Sequence, residues 1–125
     1  YHALVSGGPA EDMGIIDAPI ARKPLPSLLR EVRADGKQCI TEFQVLERLK
    51  GYSKLALRPV TGRTHQLRVH CAHMGYPILG DPQYGNGVAD FGLAHQMLCA
   101  KSLEFIHPIT GKKLILESKM EAELP

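Results

Sequence analysis

Tryptophan is absent from this 125-residue sequence, and aromatic residues make up only 6% of it. So few rings leave little material for the multi-base stacking platform of a single-strand-binding protein. No run of ~18 apolar residues occurs, which excludes a transmembrane helix. The three cysteines, Cys39, Cys71 and Cys99, are odd in number, widely spaced and without a CxxC pair. They offer neither a disulfide framework nor a cysteine-rich zinc site, and they fit a reducing compartment. The patterns GxxxxGKS, GxGxxG, GxSxG and HExxH are missing as well, so phosphate-loop, dinucleotide, hydrolase and zinc-protease chemistries lose their sequence basis. Nothing in the first residues marks secretion, and there is no internal repeat or low-complexity tract.

What is present is an ordinary globular balance, 44% apolar and 22% charged, with a net charge of +2. The length is that of one small domain or a piece of one. The weak positive charge permits nucleic-acid binding only where basic residues gather locally. The sequence opens on Tyr1 rather than Met, and a fragment or processed product is the expectation.

Residues 1–7 read as a strand that leaves into Gly7-Gly8-Pro9, and 14–20 hold a second short apolar run. Pro19, Pro24 and Pro26 predict a surface connection over 19–27. The alternation over 39–49 puts Cys39, Thr41, Phe43, Val45 and Leu49 on one face, against Glu42, Gln44 and Arg48. After a turn at Lys50-Gly51, residues 52–60 alternate again, Leu55 and Leu57 opposing Lys54 and Arg58, which predicts an antiparallel hairpin. From Thr64 to Met74 the period becomes helical, with Leu67, Cys71 and Met74 at i, i+4, i+7. Thr61 or Thr64 is available to cap that helix, and Gly75 and Pro77 end it. Residues 76–95 are expected to be mostly loop, and 97–106 and 113–119 a last hairpin around HPITGK. The sum is an α+β domain, mainly an antiparallel sheet with a central helix.

The densest polar cluster is TGRTHQLRVHCAH, residues 61–73. On a helix at ~100° per residue, Arg63, Gln66, His70 and His73 share one flank within roughly 80° of arc. The turn into the helix presents backbone N–H groups at the positive end of the dipole, a ready anion site beside the Arg63 fork. An ordinary solvated flank with an ion pair is the plainer alternative. Arg68 lies on another face. His65 sits ~140° from His70 on the helical wheel and no carboxylate falls within the helix, which weighs against a zinc site at His65, His70 and His73. Asp81, between Gly80 and Pro82, is foremost a turn residue whose side chain bonds nearby amides. The four tyrosines, Tyr1, Tyr52, Tyr76 and Tyr84, are each able to pack or to stack on a base.

The run LRPVTGRTHQLRVHCAHMGYPILGDPQYG, residues 57–85, closely resembles the signature of pseudouridine synthases of the large-ribosomal-subunit type. Their pattern is TGRTHQ, Ile or Leu, Arg-x-His, followed by a Gly–His/Tyr–Pro segment and GD-x-x-Y-G. YHALVSG at 1–7 is similar to the family's Tyr-x-Ala element, Cys39–Leu46 to one of its strands, and HPITGKKLILES at 107–118 to its closing hairpin. The resemblance spans nearly the whole chain and implies a partial pseudouridine synthase fold.

The resemblance further implies conversion of uridine to pseudouridine in RNA, ribosomal or transfer, in the cytoplasm, with no metal or organic cofactor. The family's catalytic Asp belongs to an HRLD-x-x-TSG block that precedes the Tyr-x-Ala element, and this sequence has no such block. Residues 1–125 are therefore expected to be the C-terminal portion of one catalytic domain, inactive alone. By resemblance, Tyr1 is the tyrosine that packs on the target base, Arg63 pairs with the catalytic Asp, and Leu67 forms an apolar wall of the uracil pocket. Thr64, His65, Gln66 and Arg68 are candidate RNA-facing or structural positions. Arg58, Arg63, Arg68 and Lys54 are candidate phosphate contacts. A sheet cut before Tyr1 is expected to offer an edge for dimerisation. The alternative function is a non-catalytic RNA-binding or structural module on the same fold.

Overall fold

The alternating segments form the frame on which everything else packs. In chain order the elements are β1 (His2–Ser6), β2 (Met13–Asp17), β3 (Ile20–Arg22), β4 (Arg30–Val32), β5 (Ile40–Arg48), β6 (Tyr52–Pro59), α1 (Gln66–His73), β7 (Leu98–Cys99), β8 (Ser102–Ile106) and β9 (Lys113–Glu117). They come from a computed structural model that describes residues 1–85, 96–99, 102–106 and 113–117. Among these residues no helix is long and apolar enough to cross a membrane.

Five strands make one antiparallel sheet in the order β2-β5-β6-β1-β7. The expected hairpin is its centre, with Phe43 opposite Leu57 and Val45 opposite Leu55. Period 2 sends Ala3 and Val5, Ile16, Phe43, Leu55 and Leu57 to one face, where Leu67 and Cys71 of α1 meet them in a single core. Leu4 points to the opposite face and packs on Leu79. A smaller cluster of Ile20, Cys39, Val69 and Tyr84 lies on the other side of the helix. The result is α+β with a mainly antiparallel sheet, as the alternation and the one helical period predict.

Four expectations need correction. Leu49 does not join the buried face: a bulge between Val45 and Glu47 shifts the register, and the residue is 38% exposed. Residues 19–27 are not purely a connection, since Ile20–Arg22 pairs with Arg30–Val32. Pro19 and Pro24 stand just outside that short strand, so no ladder N–H is lost. Met74 is not part of the core stripe: it is the C-cap and half exposed. The helix stops there because Tyr76 N–H bonds Cys71 O and Gly75 N–H bonds Ala72 O, with Gly75 at φ +92°. This is the paired arrangement that a left-handed glycine permits at a helix end. Finally, neither Thr61 nor Thr64 caps α1; its N-cap is His65, in the left-handed region and without a side-chain cap bond.

The expected last hairpin is seen as β8 paired with β9, Leu103 opposite Leu116. Its HPITGK turn, and the loop from residue 86 to 95, lie outside the described residues. β1 is paired on both sides over His2 and Ala3, so among the described residues it is not a free edge there.

Candidate active site

The 61–66 turn joins β6 to α1, and its geometry is set from inside by Gln66. This side chain is 4% exposed and uses all four of its hydrogen-bonding positions. Its Oε1 accepts from Arg63 N–H at 3.0 Å and from Thr61 Oγ1 at 2.8 Å, while Nε2 donates to Ile40 O at 2.8 Å and Thr41 Oγ1 at 3.0 Å. Thr61 Oγ1 in turn accepts from Ile40 N–H. A buried amide left half satisfied would be costly, so this full set fixes the turn against the start of β5. Gln66 is thus a structural position, and not one that faces a ligand.

The same network continues to His70, which is fully buried. His70 Nε2 lies 2.9 Å from Ala18 O, and a carbonyl only accepts, so Nε2 carries the proton. Nδ1 then accepts from Thr41 Oγ1 at 2.8 Å. Both ring nitrogens are committed, and the flank of Arg63, Gln66, His70 and His73 drawn on a helical wheel is not one surface. Burial, partly opposed by the Ala18 carbonyl, lowers the pKa of His70 below its ordinary 6.5. On acidification the unfolded chain therefore takes up the proton first. The stabilisation is complete above pH 6.5 and is lost as pH falls from there through the depressed folded value. Urea midpoints measured from pH 7.5 to 5 are expected to fall. A His70→Leu variant, less stable at pH 7.5, should show a flatter profile.

Two arginines five residues apart meet opposite fates. Arg63 is exposed, and its Nε donates to Gln38 O at 2.9 Å. That tether fixes the guanidinium plane and leaves the two terminal nitrogens, a two-donor fork, without a carboxylate among the described residues. Arg68 instead grips Asp81 in a bidentate pair, Nε–Oδ2 and Nη2–Oδ1 both 2.8 Å, with Gln83 Oε1 at 2.7 Å. The side chains of that pair are 11% and 0% exposed. Burial opposes ionisation of Asp81, but the Arg68 fork and the N–H groups of Gln83 and Tyr84 outweigh it and hold the carboxyl below its usual range. Asp81 is the turn residue its setting predicts. Arg68 is committed through Nε and Nη2 to the Asp81 loop, and Arg58 is paired with Glu42 on the surface.

The other candidates divide in the same way. Tyr1 N donates to Leu57 O at 2.9 Å and its carbonyl accepts from Leu57 N–H at 2.7 Å, which extends the β1–β6 ladder. Its residue is 43% exposed, at the end of the sheet from which β6 runs on into the Arg63 turn. Leu67 is 7% exposed and packs in the main core, one helical turn after Arg63. Thr64 is exposed. His65 is half-buried, and its Nδ1 lies 2.6 Å from Tyr84 Oη. The partnership of His65 with Tyr84 was invisible in the spacing of the sequence, because only the GDPQYG loop folding back onto α1 creates it. That loop is tight: a Cβ on Gly85 would sit 2.5 Å from Asp81 O.

Known proteins resemble this chain over nearly its whole length. The family model described as RNA pseudouridylate synthase matches residues 1–73, more than half the chain. The chain is 43% identical over 124 residues to an RNA pseudouridine synthase of Chloroflexus aurantiacus, covering 99% of this chain and 39% of that protein. It is 37% identical to ribosomal large subunit pseudouridine synthase C of Vibrio cholerae, over 99% of this chain and 41% of that one. The structure of human RNA pseudouridylate synthase domain containing 1 superimposes with a TM-score of 0.83 at 29% identity, covering 95% of this chain and 53% of the human chain. The chain thus spans about two-fifths of the length of these two bacterial relatives. With its antiparallel sheet, its TGRTHQ turn and a matched segment that reaches from Tyr1 to the end of α1, the chain belongs to the RNA pseudouridylate synthase family.

Proposed function

We propose that residues 1–125 are the C-terminal portion of the catalytic domain of an RNA pseudouridine synthase that isomerises uridine in structured RNA. The catalytic Asp is supplied by a segment with the HRLD block, which this sequence does not contain. In the reaction the N1–C1′ bond breaks, the uracil turns, C5 joins C1′, and a proton leaves C5 while N1 gains one. Atoms balance without a co-reactant, and no metal or organic cofactor is called for. Arg63 pairs with the catalytic Asp, Tyr1 packs on the target base, and Leu67 closes the apolar side of the uracil pocket. The observation that carries this reading is the Arg63 fork, tethered at Nε and open at both terminal nitrogens among the described residues, while Arg68 is consumed by Asp81. A carboxylate in an enclosed pocket needs such a partner to stay ionised.

Bacterial relatives named for the large ribosomal subunit favour ribosomal RNA as the substrate, and a cytoplasmic enzyme is compatible with that substrate. A base in folded RNA must be turned out to reach the site, at a cost of a few kcal/mol recovered from stacking and backbone contacts. Unmodified ribosomal RNA incubated with the full-length protein is expected to gain pseudouridine at a defined position. The 125-residue polypeptide alone should yield none above background, because positioning around an absent nucleophile gives no turnover. Robust turnover by the short polypeptide would overturn the assignment of the catalytic Asp. A full-length protein that binds RNA without modifying it would favour a binding module.

A further inference from the structure

His65 is the one non-glycine residue with positive φ among the described residues, at φ 57° and ψ 18°. A side chain with a Cβ disfavours that conformation, which persists only where the surroundings impose it. Here it lies two residues after Arg63, at the N-cap of α1, where Gln66 N–H closes back on Arg63 O at 3.2 Å. The conformation of His65, together with the Gln66 amide that holds Arg63 N–H, therefore sets how the Arg63 backbone enters the helix.

The His65 side chain is held by the Gly80–Gly85 loop. Tyr84 Oη accepts from Arg30 N–H at 3.1 Å, so its own proton is free to go to His65 Nδ1 at 2.6 Å. The two rings meet edge to face at 5.5 Å. Tyr84 is itself immobilised: it is 7% exposed, its N–H bonds Asp81 Oδ1 at 3.0 Å, and the Arg68 guanidinium lies 4.9 Å from its ring centre. Arg68, Asp81, Tyr84 and His65 thus form a closed brace from the middle of α1 back to its first turn. With Tyr84 as the donor, His65 Nδ1 carries no proton and the imidazole is neutral. Burial, with Arg68 and Arg30 nearby and only Asp81 opposing them, keeps His65 neutral to lower pH than usual.

We propose that Tyr84 and His65 are positioning residues of the synthase site: their hydrogen bond holds the left-handed turn that aims the Arg63 fork. This rests on the reading of Arg63 as the arginine of the catalytic Asp. A misplacement of about 1 Å behind a reacting group costs on the order of 100-fold in rate, so the brace acts on turnover and not on RNA affinity.

The test uses the full-length protein and ribosomal RNA. Tyr84→Phe removes one hydroxyl and keeps the ring; kcat is expected to fall at least about 10-fold while KM for RNA stays within about twofold. At position 65 the activities are expected to rank His, then Asn and Gly, then Ala and Val, the order of tolerance for the left-handed conformation once the wild-type bond is lost. This ranking follows the backbone, so a purely chemical role for the imidazole would not reproduce it. It also remains readable if Tyr84→Phe folds poorly. The proposal is overturned if Tyr84→Phe keeps its kcat while Arg63→Ala abolishes turnover, which leaves the function intact. It is equally overturned if the position-65 variants raise only KM, which makes His65 an RNA contact. If Arg63→Ala itself leaves turnover unchanged, the reading of the site falls and the brace falls with it.

Discussion

Arg63→Ala in the full-length protein is expected to reduce single-turnover pseudouridine formation by roughly 10²–10⁴ while RNA affinity changes only a few-fold. The effect is electrostatic. In the proposed site a catalytic Asp enclosed beside the base would be kept ionised by the Arg63 guanidinium, and removing one partner of such a pair costs ~3–5 kcal/mol. The carboxyl then answers by taking up a proton, which silences it as a nucleophile. Stability should hardly move, because Arg63 is exposed and among the described residues its guanidinium makes one tethering bond, to Gln38 O. Arg63→Lys should restore charge without the planar fork, and so recover only part of the rate. Intact single-turnover rates with a raised Kd would make Arg63 a phosphate clamp and remove it from the active site.

The largest effect on stability belongs to the other arginine. Arg68→Ala leaves Asp81 with a side chain that is 0% exposed and without its cation, although Gln83 and Tyr84 still donate to it. Breaking a buried pair in this way costs ~3–5 kcal/mol, against the few tenths typical of an exposed pair such as Arg58 and Glu42. The penalty should shrink as pH is lowered, because the uncompensated carboxyl can protonate and the wild-type pair cannot gain by doing so. Wild-type Asp81 contributes fully at neutral pH; its folded pKa lies below the ordinary 3.8, so its contribution is lost only in acid. Urea unfolding of Arg68→Ala, Asp81→Ala and the double variant forms the check. The double variant should lose less than the sum of the singles, since it buries no lone charge. Strict additivity would mean that the pair contributes nothing as a pair.

Much of the frame was legible in the residues. Strict alternation at Leu55 and Leu57 reports burial on one sheet face directly, because side chains along a strand have period 2. Gly75 marked the end of α1, and Asp81 announced a turn, through backbone preferences that need no tertiary partner. The match of residues 57–85 to a known signature carried the family. Short elements escaped: a three-residue strand such as Ile20–Arg22 shows no period, and the bulge at Val45–Glu47 leaves no mark on apolar spacing.

Polar side chains are where the residues alone ran out. Gln66 and His70 look like a solvated helix flank, yet both are buried, since Ile40, Thr41 and Ala18 come within hydrogen-bond reach only after the sheet has formed. Arg63 and Arg68 are chemically identical in the same short motif. What separates them is the return of the Gly80–Gly85 loop, which sets Asp81 against α1 at one arginine and leaves the other with an open fork. Periodicity records which faces are apolar, so the sequence by itself determined the long strands of the central hairpin and the helix, and the signature over 57–85 determined the family. Which arginine is committed to a buried ion pair, and which keeps an open fork among the described residues, depends on a partner thirteen residues away, and only the tertiary structure could decide it.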